Sequence, residues 1–186
     1  MAIIEDGKGK NGAMSVSTAQ RGNVSAKTKN RLFYISRDDG LAFNAIMPSF
    51  SAAAGNYIFY IKNTSSSRNL MLNHIEFHSL EAVHWKVWQV TGTAAGGTAI
   101  TPKNINLGVG IPAEATSMGG GSTITGLTLG DQLASHRTQA TGEAEMDFGG
   151  GLILSPSTAI MVEYEAGTTG LCELDCLFHF EDLKAS

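Results

Sequence analysis

Three groups of residues have the types and spacing to do chemistry. His74, Glu76 and His78 stand two apart in HIEFH. On a strand such positions share one face. Two imidazoles and a carboxylate side by side suit a divalent metal. The spacing is not that of the helical H-E-x-x-H motif, and the neighbouring sequence supplies no further ligand. The expectation is therefore the polar outer face of an amphipathic strand, with no metal and no cofactor. Glu143, Glu145 and Asp147, and then Glu163 and Glu165, repeat every second residue. Two positions along a strand cover ~6.6 Å, within the separation of paired glycosidase carboxylates. Solvated sheet faces produce the same pattern without any reaction. Asp131 and His136 have no serine in a G-x-S-x-G elbow to act on. The Gly clusters at 96–97, 119–121 and 149–151 lack the Lys-Ser/Thr of a phosphate-binding loop. No enzyme is expected.

The two cysteines, Cys172 and Cys176, are four apart. An extended strand separates their Cα atoms by ~13 Å, too far for a disulfide. They read as buried free thiols, as suits a chain made in a reducing cytosol. Trp85 and Trp88 fall on opposite faces of one strand, so one should enter the core and the other should meet solvent, a loop or a partner.

The elements that would position these residues are strands. Ile160, Val162 and Tyr164 alternate with Met161, Glu163 and Glu165. After Ala166–Gly170, Cys172, Leu174, Cys176, Phe178 and Phe180 alternate with Glu173, Asp175 and His179. That period of two with a Gly-rich turn predicts a hairpin. Upstream, strands are expected at 32–35, 41–45, 57–61, 70–79 and 82–91, with a turn at Arg37–Gly40. Shorter ones are expected near 105–107 and 123–129. Residues 131–138 fit either a strand or a helical turn, and 143–148 and 152–154 resume weak alternation. No sustained 3.6-residue period appears. Eight to ten strands at such spacing predict an all-β fold, an antiparallel β-sandwich of jelly-roll type, over residues 31–186. No apolar run approaches the ~20 residues of a membrane helix, and no membrane partner is expected.

Charge is segregated. Residues 1–31 carry Lys8, Lys10, Arg21, Lys27, Lys29 and Arg31 against Glu5 and Asp6, net +4, while the remaining seven basic and fifteen acidic residues give −8. The leading segment is rich in Gly, Ser, Thr and Asn, with apolar residues scattered singly. Residues 1–30 are read as an extended basic N-terminal arm; its five cations, with Arg31 just beyond it, bind an acidic body of this or a neighbouring subunit. No aromatic residues interleave with them before Phe33, so there is no stacking platform for nucleic acid. Charged residues are only 16% of the chain, below the usual quarter, which leaves much neutral surface for contact.

Three stretches resemble virion structural proteins of tailed bacteriophages. They are MAIIEDGKGKNGAMSVSTAQRGNVSAKTKNRL, then GNYIFYIKNTSSSRNLML, then FGGGLILSPSTAIMVEYE. The resemblance implies a β-sandwich that packs on other virion proteins, often as a trimer, and carries over no single functional residue. The expected function is a capsid decoration or stabilising protein of the virion, assembled in the host cytoplasm. It would pack on the major capsid protein and on its own copies. Alternatives are a tail, neck or baseplate protein, a fibre module recognising host glycan, or a cupin-like metal protein using His74, Glu76 and His78.

Overall fold

A computed structural model describes residues 35–183, residue 32, and the backbone of residues 3–5 and 11–13. Eleven strands form the body: β3 (Ala42–Ala52), β4 (Asn56–Asn63), β5 (Arg68–Ser79), β6 (Val83–Ala95), β7 (Thr98–Ile100), β8 (Lys103–Asn104), β9 (Ala115–Gly119), β10 (Thr125–Thr138), β11 (Gly142–Leu154), β12 (Ala159–Ala166) and β13 (Gly170–Asp182). Ahead of them, β1 (Ile3–Glu5) and β2 (Asn11–Ala13) pair antiparallel, Ile3 opposite Ala13. The six basic residues expected to bind a partner lie outside the described residues.

The body is an antiparallel β-sandwich. One sheet has the order β11-β5-β13-β3-β8 and the other β10-β6-β12-β4-β9-β7. The eight long strands explain this order. β3 to β6 pair with β13, β12, β11 and β10 in turn, as the two arms of one long folded ribbon. Rolling that ribbon adds two further pairings, β13 with β5 and β12 with β6. This is the jelly-roll arrangement expected from the strand pattern. The Gly- and Thr-rich stretch between β6 and β10 crosses to the far side of the sandwich. There β9 and β7 extend one sheet beyond β4, and β8 extends the other beyond β3.

Alternation supplies the core. Phe43, Ile75, Phe77, Cys176 and Phe178 from one sheet meet Phe59, Ile61, Trp85, Val87, Ile160, Val162 and Tyr164 from the other. Trp85 is fully buried, stacked on Phe77 at 4.7 Å and edge-on to Tyr164 at 5.4 Å. Its indole N–H donates to Thr138 Oγ1 at 3.1 Å, so the ring buries no unpaired polar atom. Asn63 is wholly buried and fixes the β4–β5 turn. Its amide donates to the carbonyls of Arg68 and Leu154, both at 2.8 Å, and its Oδ1 accepts from Ser65 N at 2.9 Å.

Three local expectations fail. The two strands expected to form a hairpin around Ala166–Gly170 do not pair: β12 lies between β4 and β6 in one sheet and β13 between β3 and β5 in the other, so the Gly-rich turn carries the chain across the sandwich. Ile35 belongs to a single π-type helical turn, Ile35–Asp39, and not to a strand. Gly40 ends that turn at φ 63, and Leu41 N–H donates back to Ile35 O at 3.3 Å. Any side chain at Gly40 would collide with Val109, whose Cγ1 lies 2.6 Å from a built Cβ. The strand expected at 105–107 is also absent. Asn104 Oδ1 accepts from Asn106 N at 2.9 Å, and Asn106 Oδ1 from Gly108 N at 3.2 Å. These side chains bond their own backbone two residues on and bend it out of extension. The undecided segment 131–138 is strand, part of β10.

Candidate functional site

The richest collection of chemistry-bearing side chains lies on the outer face of the β11-β5-β13 sheet. Register sets it out in three rows. Glu143, His78 and Glu173 form the first, Glu145, Glu76 and Asp175 the second, and Asp147, His74 and Leu177 the third. Opposite side chains on a sheet stand about 4.5–5.5 Å apart at Cβ. His74 Nδ1 approaches Glu145 Oε1 at 3.5 Å, and His78 Nδ1 approaches Glu173 Oε1 at 3.4 Å. The second row places three carboxylates abreast. Burial, the first cause, raises the Asp175 pKa. Asn44 beside it pulls the other way, the Glu173 charge adds to the rise and His74 offsets part of it. Next to this row lies a depression of about 360 Å³, whose lining includes Ile46, Pro48, Glu76, Glu143, Glu173 and Asp175.

His74, Glu76 and His78 therefore share a face, as their spacing predicts. They do not converge: each imidazole turns to a different carboxylate. Among the described residues, no group of three or more His, Cys, Asp or Glu side chains is placed to hold a metal ion. Asp131 and His136 sit exposed on β10.

The other sheet treats its outer carboxylates differently. Glu165 accepts from Lys86 Nζ at 2.8 Å and lies 2.8 Å from His84 Nδ1. Glu163 Oε2 accepts from the Trp88 indole N–H at 2.8 Å and faces Lys86 Nζ at 3.9 Å. The Lys86 hydrogen bond, and then that of His84, lower the Glu165 pKa, while the Glu165 contact raises that of Lys86. Trp88 thus takes the outer side of its strand, against a small second cluster of Tyr60, Val90, Ile124, Ala159 and Met161.

Two arrangements escaped the sequence reading. His179 falls on the polar face of β13 by alternation, yet it is only 3% exposed. The register break between Asp147 and Leu152 inserts Phe148–Gly151 opposite Asn73. Gly150, at φ 78, comes within 3.4 Å of the His179 ring, as measured from a built Cβ. Asn73 Nδ2 donates to His179 Nδ1 at 2.9 Å, which leaves the proton on Nε2 to donate to Glu181 Oε1 at 3.0 Å. The run of three glycines was the only available signal, and a bulge is one of its ordinary meanings. The second is the convergence of β11 carboxylates with those of β5 and β13, which needs the pairing of distant strands.

Both thiols are buried and free. Burial pushes Cys172 up to about 12 and Cys176 up as well, with neighbouring Glu173 and Asp175 adding to the respective shifts. Thiols so protonated at neutral pH are poor nucleophiles. No protein-family model, curated protein or solved structure matches the chain.

Proposed function

We propose that this protein is a non-enzymatic virion structural protein. It decorates and stabilises a capsid by packing on the major capsid protein and on its own copies. Charge segregation carries the reading. A leading segment of net +4 precedes a body of net −8, whose outer face bears carboxylates in rows of up to three. A chain so divided attracts other copies and acidic neighbours alike. The jelly-roll sandwich, the resemblance to virion proteins of tailed phages and the low charge content agree with it. Lys8, Lys10, Arg21, Lys27, Lys29 and Arg31 are the contacts offered to a partner. Repetition around a closed, symmetric array, a trimer in the first instance, multiplies modest contacts into firm attachment.

The test is deletion of residues 1–30 followed by quantification of copies bound per particle. A large drop relative to the full chain is expected. Unchanged occupancy refutes the role of the arm.

A further inference from the structure

We propose that the outer face of β11, β5 and β13 is the seat for the basic N-terminal segment of a second copy of this chain. The inference rests on the assembly reading above and deepens it by naming the partner and the surface.

Sequence neighbours alone do not explain this face. Its central row sets Glu145, Glu76 and Asp175 side by side, with Glu143 and Glu173 at either end of the next row. Like charges directly opposite one another destabilise a sheet pair by a few tenths of a kcal/mol or more. The two imidazoles each meet one carboxylate, and Glu76 is flanked on both sides by acids. On the other sheet, Lys86 and His84 relieve the same problem within the molecule. Here no lysine or arginine among the described residues pairs with the carboxylates, and His74, His78 and Asn44 meet one each.

The chain itself supplies a cationic occupant. Residues 8–31 carry six Lys and Arg, as many as the carboxylates in the three rows, and segment 14–31 alone can span at most about 60 Å. Partly apolar lining suits such a segment as well. Ile46 is 54% exposed and lines the depression with Pro48, where it can cover the aliphatic stems of lysines. An arm seated on its own body would satisfy these charges but hold no copies together, so the assembly reading requires exchange between copies.

Zero-length carbodiimide crosslinking joins lysine amines to carboxylates and reads this contact directly. An equal mixture of ¹⁴N- and ¹⁵N-labelled full-length chains separates contacts between copies from contacts within one. The expected products join Lys8, Lys10, Lys27 or Lys29 to Glu143, Glu145 or Glu173. About half should carry mixed isotopes, and high salt should abolish them. The full-length variant Glu76→Gln/Glu145→Gln, checked for native circular dichroism, should lose most of the yield. Crosslinks of a single isotope class would show an arm lying on its own body and overturn the inference. So would arm crosslinks directed elsewhere, no arm crosslinks at all, or a yield unaffected by the variant. None of these outcomes bears on particle occupancy, so failure here and failure of the capsid reading are told apart.

Discussion

The two outer faces of the sandwich carry similar residue types and handle them in opposite ways. On β6 and β12, Glu163 and Glu165 are matched inside the molecule by Trp88, Lys86 and His84. On β11, β5 and β13, six carboxylates share two histidines. On the first face both carboxylates have partners beside a small apolar cluster. The second sets Glu76 between Glu145 and Asp175 with no lysine or arginine of the described residues paired to the row. That contrast is why the proposed seat for the arm is placed on this sheet.

The contrast can be broken most directly by truncating one carboxylate on each face. Glu163→Ala removes the acceptor of the half-buried Trp88 indole and a neighbour of Lys86. A loss of about 1–3 kcal/mol is expected from urea unfolding. Glu145→Ala should stay within about 0.5 kcal/mol. Equal losses would show that the open face is as internally satisfied as the other. Next in size, Glu76→Gln/Glu145→Gln should raise stability by about 0.2–1 kcal/mol, because it thins the three-carboxylate row. A drop would mean that the row is held together by an interaction that needs its charge. A smaller effect is expected from salt. Raising it to about 0.5 M screens the repulsion, so the wild-type unfolding midpoint should rise while that of the double Gln variant hardly moves.

The smallest effect sharpens the comparison through pH. Glu165 has a folded pKa below its ordinary 4.5, through Lys86 and then His84. Its stabilising contribution is present above 4.5 and disappears as pH falls through the depressed folded value. Asp175 has a folded pKa above its ordinary 3.8, chiefly through burial. Its ionised form therefore costs stability at pH above the raised value, and that cost fades as pH falls through the raised value toward 3.8. Carboxylate NMR titration should show the Glu165 midpoint below and the Asp175 midpoint above their usual positions. Midpoints displaced in the same direction would erase the distinction between the faces.

Much of this was legible in the chain. The alternation at 160–165 and 172–180 placed Cys172, Leu174 and Phe178 inward and Glu173 and Asp175 outward, as β13 has them. Trp85 and Trp88 divided as their spacing required. Other features were hidden for identifiable reasons. Asn104 and Asn106 ended a strand that β-branched neighbours favoured, because side-chain bonds to the local backbone outweighed propensity. β9 was missed because Ala115–Gly119 is short, small-residued and takes its place by pairing with β4. His179 reads as a solvent-facing residue until the Gly149–Gly151 bulge is laid over it.

Strand periodicity, the buried thiols and the separation of positive from negative charge are properties of short windows, and the sequence determined them unaided. Backbone geometry enforces a period of two whatever the rest of the chain does. Only the tertiary structure decided which carboxylates stand together. Glu145 and Asp175 come to flank Glu76 because strands far apart in the chain pair in one register, and a slip of one residue would turn each of them to the opposite face.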